Sequence, residues 1–291
     1  MKTKSIIALL LSLSLLAPVA ALQACATDEE AALPSDGVQS APLPDDDTQD
    51  SSQDSSTSVT PPVSVPEDKP VQTPPAPPVS AKAQYVKLTA NSVNIRSGAG
   101  TDYKVLGSAE KGSRYAIIGQ TGNWYKTYYR NQTAYLYASY GSIFTLEKSE
   151  DEDVENVIAE GYKLLGTPYV YGAVRFHDGN GKLLKGFSVT KFDCSSLMQY
   201  IFYKGAGTLL QSHSRAQVLQ GKYVKRADLQ RGDCMFFTNE SRKNKTGIER
   251  VGHVALYLGD GYILHTASDY ARIEPLTQAR WNYYIEARRF L

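Results

Sequence analysis

Cysteine is scarce in this chain. Its 291 residues hold three, at positions 25, 194 and 234, beside four histidines. That count excludes a disulfide-stapled scaffold. No HExxH or CxxC spacing accompanies Cys194, His253 and His265, which argues against a zinc centre built from them. Long apolar runs are also missing. The one candidate, Ile6 to Leu16, spans eleven residues and is interrupted by Ser12 and Ser14, whereas a bilayer-spanning helix needs about 20. There is no helix-turn-helix, zinc-finger or RNP-like pattern, so no nucleic-acid partner is expected. Gly98-Ala99-Gly100 precedes no helical pattern and is not a phosphate loop. Nothing in the residues calls for a metal or cofactor.

The short apolar run follows Lys2 and Lys4, the arrangement of an export signal over residues 1–24. Leu22-Gln23-Ala24-Cys25 resembles a bacterial lipobox, in which Cys25 becomes the lipidated first residue of the mature protein. A diacylated cysteine supplies the two-chain membrane anchor that one chain gives only weakly; plain cleavage after Ala24 would release the protein instead. Either way the expected location is extracytoplasmic. Residues 26–80 hold 11 of the 14 prolines, eleven acids and one lysine, with no aromatic residue. Such a segment buries too little apolar surface to offset its ordering entropy and reads as a disordered, extended spacer. Residues 1–25 carry +2 and residues 26–80 carry −10, so the remainder carries +9 of the net +1. A basic globular part suits an anionic matrix such as a bacterial wall, and equally a solvated surface with no partner.

All 20 tyrosines lie after residue 80. Two folded units are expected there, 84–146 and 149–291, with the acidic run Glu147 to Asp153 between them. The first reads as six short strands (Tyr85–Leu88, Ser92–Ile95, Lys104–Leu106, Arg114–Ile118, Trp124–Tyr129, Ala134–Tyr137) punctuated by glycines, the pattern of a small β-barrel. Its nine tyrosines and one tryptophan serve either core packing or a groove for peptide or sugar. In the second unit Ser149 and Glu152 form a candidate capping box for a helix running to about Leu165. Another helix follows Asp193 as N-cap, and a third spans Ser214 to Gln220. Strands are expected at Cys234–Phe237, His253–Leu258, Tyr262–His265, Arg272–Glu274 and Tyr283–Arg289. Helices first and strands second make this unit α+β.

The chemistry lies in Cys194, His253 and His265. At the first turn of a helix, backbone N–H groups and the helix dipole favour a thiolate. An imidazole can lower the thiol pKa further and protonate a leaving amine. A second polar group can fix its tautomer. One turn, Gly259-Asp260-Gly261, separates the two histidine strands, so hairpin pairing can bring both rings to one face. The N–H of Cys194 or Ser195 could help form an oxyanion site. Cys194 and Cys234 could instead pair as a disulfide, although a buried Cys234 thiol fits its strand better. His177 and His213 read as surface residues.

Two resemblances sharpen this. Val93-Asn94-Ile95-Arg96-Ser97-Gly98, Val105-Leu106-Gly107, Lys111-Gly112 and Gly122-Asn123-Trp124-Tyr125 closely resemble the bacterial SH3 (SH3b) family. That implies an SH3-like barrel that binds wall peptide or flanks a wall-cleaving enzyme. Gly166-Thr167-Pro168-Tyr169-Val170-Tyr171-Gly172, Phe192-Asp193-Cys194-Ser195-Ser196, Asp228 to Asp233, Phe236-Phe237, His253 to Gly259 and Tyr262 to His265 are similar to the NlpC/P60 family of papain-like cysteine peptidases. The resemblance implies an enzyme hydrolysing peptidoglycan stem peptides, commonly between D-γ-glutamyl and the following diamino acid. It makes Cys194 the nucleophile, His253 the base and His265 the orienting residue. Tyr169, Asp193, Ser195 and Ser214 match positions that help hold the stem peptide. Asp193 could pair there with a free L-Ala amine or serve simply as the N-cap. Ser196, Ala173, Arg231 and Cys234 depart from the family pattern. The stretch Ala173 to Thr190 is also longer than usual, either a cleft border or, slightly preferred, a solvated hairpin. The alternatives are a non-catalytic wall-binding lipoprotein and an amidase or acyltransferase on the same scaffold. A monomer is expected.

Overall fold

The computed structural model describes residues 81–291. The expected signal peptide, Cys25 and the 26–80 spacer lie outside the described residues.

Eight strands come first: β1 Lys82–Leu88, β2 Val93–Arg96, β3 Val105–Ala109, β4 Arg114–Ala116, β5 Gly119–Thr121, β6 Trp124–Tyr129, β7 Gln132–Tyr137 and β8 Gly141–Glu147. They pair antiparallel into a three-stranded sheet, β4-β1-β8, and a five-stranded sheet, β3-β2-β7-β6-β5. Alternation drives this. In β6, Tyr125, Thr127 and Tyr129 point inward while Trp124, Lys126 and Tyr128 are partly exposed. The inward rows of both sheets close over Leu88, Ile95, Ala134 and Leu136. Strand β8, like β5, was not expected. Its outward-facing Ile143 breaks the alternation, yet β8 pairs with β1 along the whole of that strand.

The second unit begins with α1 (Glu152–Lys163) and α2 (Cys194–Ala206), which pack on each other. After α3 (Ser214–Gln217) come β9 Lys222–Val224, β10 Cys234–Phe237, β11 His253–Gly259, β12 Tyr262–Ala267, β13 Tyr270–Pro275, α4 Gln278–Tyr283 and β14 Tyr284–Arg289. The sheet is antiparallel in the order β13-β12-β11-β10-β14-β9, and α2 lies against β11 and β12. The α+β expectation therefore agrees with the fold. Two details differ. The cap of α1 is Asp151, whose carboxylate accepts from Asp153 N–H, while Ser149 Oγ accepts from Asp151 N–H outside the helix. Helix α3 ends three residues early, with His213 as its cap.

The two units touch at a defined seam. The β6–β7 turn, with Arg130 and Asn131 both at positive φ, presents its N–H groups to Leu165 and Lys163 carbonyls at 2.8 and 2.6 Å. Those carbonyls belong to the end of α1, where the helix has run out of its own donors. Tyr129 sits against Gly166, at φ +80; a Cβ there would lie 2.1 Å from the Tyr129 ring. Only glycine meets both demands. Phe144 stacks between Tyr85 and Tyr262, ring centroids 5.1 and 4.9 Å apart.

Candidate active site

Helix α2 starts where Asp193 caps it. The carboxylate accepts from Ser196 N–H at 2.8 Å, and Ser196 Oγ accepts from Asp193 N–H at 2.9 Å, a reciprocal capping box. Cys194 is therefore the first helical residue, 5% exposed, at the positive end of the dipole. Gln217 of α3 donates to Ser195 carbonyl at 2.9 Å and tightens this turn from outside. Cys194 and Cys234 do not form a disulfide. Full burial pushes the Cys234 thiol well above its usual range, with Asp233 adding to the effect, so that thiol stays protonated and inert.

The Gly259-Asp260-Gly261 turn holds all three residues at positive φ and folds β12 back along β11. Leu256 lies opposite Leu264 and packs with it in the core that includes α2; His253 and His265, at odd offsets from that pair, share the other face of the sheet with Ala255 and Ile263. Their rings meet, His253 Nε2 to His265 Nδ1, at 2.9 Å. If His253 Nδ1 is to accept a proton, its Nε2 must carry one and donate it. His265 must then accept at Nδ1 and carry its own proton on Nε2. That Nε2 lies 3.2 Å from Glu274 Oε1 of β13, close but off the hydrogen-bond axis. Glu274 in turn pairs with Arg280 of α4. Burial pulls the His265 imidazole down to about 3; Glu274 favours its cation, and Arg280 and His253 oppose it. Burial disfavours the Glu274 anion, but His265, Arg280 and Arg272 together hold it well below the usual carboxylate range. The result is a neutral, fully buried imidazole between the His253 ring and the Glu274 carboxylate.

Asp193 and Ser195 flank Cys194 and touch each other, Ser195 Oγ donating to Asp193 Oδ1 at 3.2 Å. Tyr169 and Ser214 reach the site through backbone. Tyr169 is bridged to Phe192, two residues before Cys194, and its N–H donates to Asp269 carbonyl at 2.8 Å. Ser214 opens α3, whose Gln217 holds Ser195.

The model described as the NlpC/P60 family matches residues 166–289, and that described as a bacterial SH3 domain matches 91–142. Residues 166–289 form an NlpC/P60 domain. Over 136 residues the chain is 29% identical to the peptidoglycan endopeptidase RipA of Mycolicibacterium smegmatis, covering 46% of this chain and 25% of that protein. A Gamma-D-glutamyl-L-lysine dipeptidyl-peptidase of Bacillus cereus is 31% identical over 172 residues, 58% of this chain and 44% of that one. The peptidoglycan endopeptidase RipB of Mycobacterium tuberculosis is 31% identical over 120 residues, 41% and 46%. The chain thus spans less than half the length of each of these relatives. A solved NlpC/P60 protein from Bacillus cereus is 26% identical, covering 72% of this chain and 64% of that one, at a TM-score of 0.38.

Three residues of the NlpC/P60 domain that matter here were not legible as site residues: Glu274, Arg280 and Arg175. The first two show no spacing signal, because sheet pairing and α4 bring them to His265 from later in the chain. Arg175 lies in the long stretch after Ala173. That stretch is not a solvated hairpin: Phe176 and Phe187 pack on Tyr200 and Tyr203 of α2, and His177 is fully buried rather than on the surface. His213 is exposed as expected. In the SH3 domain, four of the nine tyrosines (Tyr85, Tyr115, Tyr125, Tyr129) are core. Trp124, Tyr137 and Tyr140 instead line a groove of about 650 Å³ with Asn91, Asn94, Arg96 and Asp102.

Proposed function

We propose that this protein is a cysteine endopeptidase of peptidoglycan, hydrolysing the amide between D-γ-glutamate and the following diamino acid of the stem peptide. The observation that carries it is the 2.9 Å His253–His265 contact in the two strands that pack against the helix beginning at Cys194. The family match and the names of the similar proteins support the substrate class.

In this reading the Cys194 thiolate attacks the glutamyl carbonyl carbon. N–H groups at the start of α2 stabilise the oxyanion. His253, protonated by the thiol, gives that proton to the departing amine. Water then enters, His253 removes its proton, and the thioester is hydrolysed to free carboxylate and thiol. His265 holds the His253 ring and its tautomer throughout. Tyr169, Ser195 and Ser214 border the peptide, and the SH3 groove with its aromatic wall holds wall polymer near the cleft. The export signal and Cys25 would put the enzyme outside the cytoplasm, lipid-anchored to the membrane or released to the wall. It acts as a monomer.

The test is incubation of the protein with purified muropeptides under reducing conditions, beside Cys194→Ala, with products identified by mass spectrometry. A new diamino-acid amine, absent with the variant, is expected. A freed lactyl group would indicate an amidase. Retained binding without cleavage would indicate a wall-binding protein.

A further inference from the structure

The Asp193 carboxylate is the anion nearest in sequence to the nucleophile, and it is 3% exposed. Oδ1 accepts from Ser196 N–H at 2.8 Å and Ser195 Oγ at 3.2 Å. Oδ2 accepts from Arg175 Nη1 at 2.7 Å and Gly172 N–H at 3.2 Å. Four donors meet the roughly four lone-pair sites of a carboxylate. Arg175 is itself held in place. Nη1 also donates to Ala173 carbonyl at 2.5 Å, Nε to Ser212 carbonyl, and Nη2 to Ser195 Oγ at 3.3 Å. Its segment is pinned to α2 by the Phe176, Phe187, Tyr200 and Tyr203 rings, 4.9 to 5.4 Å apart. The guanidinium is therefore preorganised rather than a loose surface charge, with a side chain 17% exposed.

This has a consequence for substrate choice, and it rests on the peptidase reading above. An enzyme that removes a γ-linked dipeptide from a free N-terminus meets an ammonium group at most about 9 Å from the carbonyl it attacks, two extended residues and the glutamate side chain. An ammonium needs an anion or several acceptors to leave water. At this end of α2 the anion is already saturated and neutralised, and a second cation would approach the guanidinium. An acylated first amine has no charge to place. We propose that Arg175 selects stem peptides whose first amine is still in amide linkage, as when the peptide remains joined to its sugar, and disfavours peptides with a free N-terminus.

The experiment compares L-Ala-γ-D-Glu-L-Lys carrying a C-terminal D-Ala with its Nα-acetyl form, using the full chain. Wild type is expected to cleave the acetylated peptide with the higher kcat/KM. Arg175→Gln, which frees Asp193, is expected to move the ratio about tenfold or more toward the free amine, the scale of one charged hydrogen bond. A wild type that prefers the free amine overturns the proposal whatever the variant does; so does a folded Arg175→Gln with an unchanged ratio. If wild type cleaves neither peptide, the endopeptidase reading fails. Selectivity is then read from calorimetric binding of both peptides to Cys194→Ala, where tighter binding of the acetylated form supports the role of Arg175. Equal, reversed or absent binding rejects it.

Discussion

His265 shows how much chemistry a single buried side chain carries. It has one proton to place and two nitrogens, and its neighbours decide the matter. His253 faces Nδ1, while Glu274, backed by Arg280 and Arg272, faces Nε2. Glu274→Gln keeps the shape but removes the anion, so the amide can present its own N–H to Nε2 and favour the wrong tautomer. A fall in kcat of about 10- to 100-fold is expected, typical for loss of a supporting partner, with KM little changed because no substrate contact is lost. A kcat within about twofold of wild type would show that the carboxylate does not orient the ring. The same residues set an acid limit. Free in the unfolded chain, the His265 imidazole takes a proton below about 6.5; folded, it resists until about 3. Between those values the unfolded state binds more protons, so stability falls as pH falls, by about 1.4 kcal/mol per unit. The depressed Glu274 adds stability above the ordinary carboxylate range that is likewise lost in acid. Thermal unfolding from pH 7.5 to 4 should show this decline, and His265→Gln should flatten it. An equal slope in the variant would place the acid sensitivity elsewhere.

At the scale of elements, α2 depends on its first turn. Asp193→Asn preserves an oxygen for Ser196 N–H and so most of the cap. Both variants leave Arg175 without its anion, about 1–3 kcal/mol for a buried charged donor, and Asp193→Ala also loses the cap, about 1 kcal/mol more. Denaturant melts should therefore rank wild type, Asn, then Ala, with the larger step at loss of the anion. If the two variants melt together, the ion pair rather than the cap is what matters. This turn was readable in the sequence because every part of it is local: Asp193 and Ser196 are three residues apart, and Leu197, Met198, Ile201 and Phe202 mark the buried face. The histidine hairpin was readable for the same reason, since glycines flank Asp260 and apolar residues fill both strands. Strand β8 was not. Its edge position leaves Ile143 outward, and its register comes only from β1, more than fifty residues earlier. Nor was the Asp151 cap of α1, because Ser149 offered an equally good local pattern. Arg175 and Glu274 belong to the same class, as their partners are set by tertiary packing and leave no periodic trace.

At the scale of the molecule, one side chain that departs from the family pattern joins the two domains. Arg231 is 9% exposed. It binds Glu155 through both oxygens at 2.5 and 3.0 Å, Leu258 carbonyl at 2.8 Å, and the hydroxyls of Tyr162 and Tyr85 at 3.1 Å each. Tyr85 belongs to β1 of the SH3 domain, and its hydroxyl also meets that of Tyr162. Burial opposes the Arg231 cation, but Glu155 and the two tyrosines hold it firmly charged. The segment after the seam, from Gly166 to Tyr169, bridges at Tyr169 to Phe192, two residues before Cys194. Arg231→Ala removes the cation paired with the Glu155 carboxylate and the donor shared by both hydroxyls, leaving Ser149 N–H on Glu155 and the Tyr85–Tyr162 contact, an expected loss of about 3 kcal/mol. Adding Glu155→Ala should recover part of it, since the stranded charge is then gone. Calorimetry should resolve the single transition of the wild type into two, as the domains lose their common hub. Muropeptide cleavage should show a raised KM with kcat less affected, because Cys194, His253 and His265 lie on α2 and the sheet, away from the seam. An unchanged single transition would mean that the Phe144 stack and the β6–β7 turn suffice to couple the domains, whereas a collapse of kcat at constant KM would place the linkage at the nucleophile itself.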